Sequence, residues 1–298
     1  MQAYQINELE RLTGIKAHTI RIWEKRYSLI TPSRTTTNRR YYNDEQVRKL
    51  LNVTTLLSAG HKISRIAAYT DAELNGLIQN NGADADQQSR AAYTNNLIKF
   101  MLAFDQLGFE REFAAALQQF GIYDAMLNVI YPFLNKTSIL WIVNKAAPAQ
   151  EHFATCIIRR KLMALTDALP MPVKKERFML FLPPGEWHEI GLLFANYLIC
   201  GQGYETIYLG QNVPIENIKK MAAAIAPDHM LLFYIATRPG DEIDAHIKTM
   251  AGISKSIRVL IAGNHDLLER SKFTAKNVTR LNSVYDLMEL LKRDQQPN

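Results

Sequence analysis

The chain has 298 residues, 47% of them hydrophobic, which is enough for two or three domains with buried cores. No run reaches the roughly 18 apolar residues that cross a bilayer, the first residues lack the basic start and apolar centre of a secretory signal, and the two cysteines, Cys156 and Cys200, build neither a disulfide framework nor a zinc cluster. A cytoplasmic location is expected. The net charge is +6, and residues 1–75 carry 12 Lys/Arg against 7 Asp/Glu, so +5 of it falls in the first quarter of the chain. Such concentration is the electrostatic footprint of a nucleic-acid-binding module.

In chain order, Ile6 to Leu12 reads as a short helix with Ile6, Leu9 and Leu12 on one face. Gly14 allows a tight turn, and His18 to Tyr27 reads as a second helix. Ile15, Ile20 and Trp23 point to the core, while Thr19, Arg21, Lys25 and Arg26 point outward. This is the pattern of a helix–turn–helix that lays a basic second helix in the major groove. Ser33 to Tyr42 is polar and basic with an aromatic root, and reads as a β-hairpin wing. Asn43 to Glu45 caps a further helix in which Val47, Leu50, Leu51 and Leu57 are spaced for burial.

Over residues 4–75 the sequence resembles the MerR family of transcription regulators, through INELERLTGIKAHTIRIWEKRYSLITPSR, NRRYYNDEQVRKL and LLSAGHKISRIAAY. The resemblance implies that Thr19, Arg21, Arg26 and Tyr27 approach DNA from the second helix, and that Arg34, Arg39, Arg40 and Tyr41 do so from the wing. It also implies promoter DNA as partner and a homo-oligomer, dimer or tetramer, because one such module covers a single half-site.

Asn80 to Gln88 is polar and reads as a linker, assigned to 76–90. Residues 91–170 read as a four-helix bundle with helices at 90–103, 106–119, 121–136 and 148–168. From 171 to 298 the pattern alternates, with strands near 177–183, 206–209, 229–235, 257–262 and 277–280. The expected fold is therefore multidomain: a winged helix–turn–helix, a four-helix bundle and a flavodoxin-like doubly wound parallel sheet.

Beyond the first of those strands lies Pro184-Gly185-Glu186-Trp187-His188-Glu189-Ile190-Gly191. It places a histidine and a carboxylate in a loop at the carboxyl end of a strand, where open α/β sheets bind ligands. Glu-x-His-x-x-Gly resembles the Asp-x-His-x-x-Gly of cobalamin-binding domains, whose histidine is the lower axial ligand of cobalt. In the helical region, Trp141 followed by Glu151-His152 resembles the Trp-x9-Glu-His of the cobalamin-responsive CarH/LitR type of MerR regulator. The resemblance implies that His188 ligates cobalt, that Glu186 orients it, and that Trp141, Glu151 and His152 cover the upper face of adenosylcobalamin or methylcobalamin. Gly191 completes the motif.

Three positions depart from that pattern. The family's Ser-x-Leu falls on Phe233-Tyr234-Ile235, so Phe233 and Ile235 stand where the nucleotide tail is served. The family's Gly-Gly falls on Gly263-Asn264. The histidine that follows the tryptophan in light-responsive relatives is Ile142. The resemblance implies a DNA-binding repressor, not an enzyme, controlled through a cobalamin-binding sensor that answers to ligand or light, although Ile142 lacks the histidine of the light-responsive route. Two alternatives stand beside it: a MerR-type regulator whose cobalamin-like domain is cofactor-free and senses a protein or another ligand, and the corrinoid protein of a methyltransferase system. The second alternative leaves the basic first quarter unused.

Overall fold

Apolar spacing at three and four residues converts into helices throughout the first half of the chain, and alternation with short apolar runs gives a sheet in the second. A computed structural model of the protein describes residues 4–34, 40–58, 61–70, 73–74, 85–142, 146–236, 239–269, 271–272 and 274–293. It contains two compact units, residues 1–155 and 156–298. The division falls within the helix Pro148–Asp167, and not at the expected boundary near 170. A helix that is continuous in hydrogen bonds leaves no composition signal where its packing partners change.

The first unit opens with α1 (Ile6–Thr13) and α2 (Ala17–Tyr27), joined by a turn in which Gly14 takes φ 73°. β1 (Ser33–Arg34) and β2 (Arg40–Tyr41) pair antiparallel, Arg34 opposite Arg40. Then come α3 (Asp44–Ser58) and α4 (Ile63–Ile66). Leu9, Ile20, Trp23, Tyr4, Tyr42, Val47, Leu50 and Leu51 form the buried core of this part. Leu57 does not join it fully: it is half-buried, while Val53 and Leu56 are buried, so the buried stripe of α3 runs through those two residues.

α5 (Ala85–Leu102), α6 (Gln106–Ala125), a π-helical turn (Met126–Ile130), α7 (Tyr131–Ile142) and α8 (Pro148–Asp167) follow. The expected linker is thus helical from Ala85 onward, and its part at 76–84 lies outside the described residues. Asp105 caps α6 through the Gly108 amide, and the Phe109, Phe133 and Phe153 rings pack edge to face in the interior. Asn95 of α5 ties this bundle to α3 by donating to the Leu51 carbonyl, and it accepts from Lys136 at 3.0 Å.

The second unit is a five-stranded parallel sheet: β3 (Arg177–Phe181), β4 (Glu205–Gly210), β5 (His229–Tyr234), β6 (Arg258–Gly263) and β7 (Val278–Arg280), in spatial order β4-β3-β5-β6-β7. That is the doubly wound order expected from the sequence. The crossovers are α9 (Ile190–Gly201), α10 (Ile215–Ile225), α11 (Gly240–Ala251) and α12 (His265–Leu268), and α13 (Val284–Arg293) closes the unit. Residues Phe178 to Leu182 are buried on both faces, and α9 buries most of its circumference, which is why both segments read as unbroken apolar runs. Cys200 is half-buried and Cys156 exposed.

Candidate DNA-reading face and ligand loop

Helix α2 separates its residues cleanly. Ile20 and Trp23 are buried; His18, Arg21, Ile22, Lys25 and Arg26 are exposed; Thr19 and Tyr27 are half-buried. The Arg26 guanidinium lies 5.4 Å from the centre of the Tyr27 ring. The apolar side of the helix is committed to the core, so its cations are free of packing and present a charged face. Arg34 of the hairpin is exposed and Tyr41 half-buried. Arg40 is exposed but also pairs, Nε to Glu24 Oε2 at 3.3 Å, with Glu24 itself shielded and accepting from the Tyr42 hydroxyl. This contact, unseen in the sequence, ties the root of the wing to the second helix through side chains. Burial, then the Glu24 carboxylate, pushes the Tyr42 hydroxyl far above its ordinary range. Arg39 and the hairpin tip at 35–38 lie outside the described residues.

The ligand loop of the second unit is held by backbone. Gly185 N–H donates to Asn212 Oδ1 at 2.8 Å, Gln211 donates to the Trp187 carbonyl at 2.8 Å, and the Asn212 amide donates to the Glu186 carbonyl at 3.2 Å. Glu186 is fully buried. Its Oε2 accepts from the amides of Ile235 and Ala236, both at 2.8 Å; its Oε1 accepts from the amides of Trp187 and His188 and lies 2.6 Å from His188 Nδ1. Burial alone would raise this carboxyl, but the His188 ring and the amides of Ala236, Ile235 and His188 outweigh it and bring it down to about 2. An ionised Glu186 accepts a hydrogen bond from His188 Nδ1–H, and in the neutral ring this tautomer has its lone pair on Nε2; the side chain is 56% exposed. That is the form in which imidazole binds a metal.

The neighbouring Glu189, buried at the start of α9, was missed by sequence reading. It accepts from the Tyr208 hydroxyl at 2.9 Å and pairs with Arg159 at 2.8 Å. A carboxylate at a helix start, preceded by another three residues earlier, is the sequence signal it offers.

The remaining expected site residues divide by location. Gly191, on the first turn of α9, faces Phe233: a Cβ there would stand 3.1 Å from Cε1 and 3.2 Å from Cδ1 of the ring. Ile235 contributes its amide to Glu186. Gly263 takes φ 133° with its Cα against the Tyr234 carbonyl, and Asn264 caps α12. In the first unit, Trp141 sits in the last turn of α7, its side chain outside the described residues. Glu151 is half-buried and His152 exposed in the first turn of α8, between two anchors: Gln150, which donates to the Leu102 carbonyl at 2.9 Å, and Phe153, which meets Phe109.

Tested against a corrinoid, the loop fits in one respect and not in another. The buried carboxylate, the Nδ1 contact and the exposed ring suit a lower axial ligand, whereas the space beside Gly191 is taken by the Phe233 ring. Among the described residues, no helix is long and apolar enough to cross a membrane, and no cluster of three or more His, Cys, Asp or Glu could enclose a metal ion.

Residues 4–73 match the MerR HTH family regulatory proteins. The HTH-type transcriptional repressor CarH of Myxococcus xanthus is 28% identical over 270 residues, 88% of this chain and 89% of that one. The HTH-type transcriptional repressor CarA of the same organism is 23% identical, with 87% and 86% covered. Among solved structures, the monomethylamine corrinoid protein of Methanosarcina barkeri aligns with a TM-score of 0.49 at 14% identity, covering 66% of this chain and 96% of its own.

Proposed function

We propose that the protein is a DNA-binding transcriptional repressor whose second unit senses a corrinoid. The observation that carries the sensor half is the Glu186–His188 pair: a buried, ionised carboxylate fixes the imidazole tautomer of a side chain that is 56% exposed. The DNA half is supported by the MerR match over residues 4–73 and by the exposed Arg21, Lys25 and Arg26 above buried Ile20 and Trp23. The names of the two Myxococcus relatives, similar along nearly the whole chain, favour repression.

In this reading a corrinoid would supply a cobalt centre, His188 would hold it through Nε2 and Glu186 would keep the proton on Nδ1. The resemblance also assigns Trp141, Glu151 and His152 to cofactor contacts. Two copies of the chain bring two reading heads to a two-fold symmetric promoter site, and ligand binding alters occupancy of that site. Equilibrium dialysis and visible absorbance of the full chain with adenosylcobalamin, methylcobalamin and adenosylcobinamide test the sensor. Uptake with a histidine-ligated spectrum, abolished or markedly weakened in His188→Ala, is the expected result; no uptake of any of the three rejects it. Phe233 against Gly191 favours a second reading, in which the unit is cofactor-free and answers to a protein or another small molecule.

A further inference from the structure

In a doubly wound sheet the ligand crevice opens where the crossovers leave in opposite directions, beyond the carboxyl ends of two adjacent strands. Here those strands are β3 and β5: the chain leaves β3 toward β4 and leaves β5 toward β6. Two side chains close the crevice between them. Glu186, in the loop after β3, reaches across to the amides of Ile235 and Ala236 after β5. Phe233, the penultimate residue of β5, lays its ring on Gly191 at the start of α9, so close that even a methyl group at 191 would crowd it. Above this closed floor, Trp187 is 59% exposed and the His188 side chain 56%.

The site is therefore built to hold a ligand on its surface and to refuse a long appendage below. We propose that it selects corrinoids that lack the lower nucleotide, such as cobinamides, over complete cobalamins, with Phe233 as the residue that excludes the tail. His188 would supply to a corrinoid the nitrogen that a cobalamin's own base can provide, so holding the group would not need the nucleotide. Admitting the nucleotide requires the half-buried Phe233 ring to leave its packing on Gly191, and the apolar surface then exposed corresponds to about tenfold in binding. The inference rests on the corrinoid reading above and adds the chemical class of its ligand.

The test is equilibrium dialysis of the full-length protein against adenosylcobinamide and adenosylcobalamin, for wild type, Phe233→Ser, Phe233→Leu and His188→Ala, with the visible spectrum reporting imidazole ligation. Wild type is expected to hold the cobinamide at least about tenfold more tightly. Phe233→Ser should narrow that ratio to about threefold or less by improving cobalamin alone, with Phe233→Leu in between, and His188→Ala should weaken both ligands. Equal affinity of wild type for the two corrinoids overturns the proposal while leaving the corrinoid reading in place. Failure of wild type to bind either one overturns both. The wild-type ratio is decisive by itself, so a variant that does not fold leaves the test intact.

Discussion

Each unit places its candidate working residues on one shielded carboxylate, and the two are held in different ways. Glu24 in the reading head is tied by side chains, the Arg40 guanidinium and the Tyr42 hydroxyl. Glu186 in the ligand loop is tied mainly by backbone, four amides and one imidazole. Side-chain partners can be exchanged or can rotate away when a charged surface such as DNA approaches. Backbone amides, two adjacent ones in the loop after β3 and two beyond the end of β5, cannot. The wing root is thus adjustable and the His188 tautomer is fixed, as suits a face that must settle on a groove and a ligand that must be presented at one angle.

If backbone geometry governs the ligand loop, the greatest loss comes from disturbing the strand ends it hangs on. In Gly263→Ala a Cβ would stand 2.0 Å from the Tyr234 carbonyl oxygen, at φ 133°. The expected cost exceeds about 4 kcal/mol, and a calorimetric scan should lose the transition of the second unit while the helical unit still melts. Survival of that transition breaks the comparison.

Glu186→Gln comes next. The amide turns donors toward donors and leaves a buried polar group unsatisfied, a cost of about 2–4 kcal/mol. Acid does the same to wild type. The folded carboxyl titrates near 2, below its unfolded value, so its contribution is present at neutral pH and disappears as pH falls toward 2. Denaturant midpoints followed from pH 6 to pH 3 should decline, and in Glu186→Gln the decline should flatten. An unchanged slope assigns the acid sensitivity to other groups.

On the reading head the effects are smaller and electrostatic. Arg26→Ala, and Arg40→Ala together with Arg39→Ala, should weaken binding to specific and non-specific DNA alike, reducing the salt slope by about one per lost phosphate contact. Stability of the second unit should not move. Gel shifts across a salt series give the answer, and an unaltered slope removes these arginines from the interface. Smallest of all, Tyr42→Phe deletes one hydroxyl bond to Glu24 for about 1 kcal/mol, with Arg40 still paired; a loss as large as that of Glu186→Gln would show the two carboxylates to be held alike.

Most of the fold was legible in advance. The strand positions follow from short unbroken apolar runs and the helices of the bundle from periodicities of three to four residues, both of which depend on neighbours along the chain. The start of α5 at Ala85 was not legible, because Ala85 to Arg90 is polar and its helical state is supported across the bundle, as by the Arg90–Asp124 pair at 2.8 Å. The unit boundary inside α8 was hidden for the same reason: partners change where the helix does not. At the site, the sequence shows Glu186 and His188 as neighbours and flags Phe233 as an oddity. It says nothing of Glu189 with Tyr208 and Arg159, nor of Glu24 with Arg40, since those partners lie 16 to 30 residues apart.

The sequence by itself determined the order of modules, the basic reading helix, the doubly wound sheet and the loop that carries the histidine, because charge, hydrophobic period and short motifs are properties of contiguous residues. Only the tertiary structure decided that Glu186 spans the crevice to Ile235 and Ala236, and that Phe233 rests on Gly191. Those contacts join segments some 40 to 50 positions apart, and their existence depends on the parallel register of β3 with β5, which brings the two strand ends side by side.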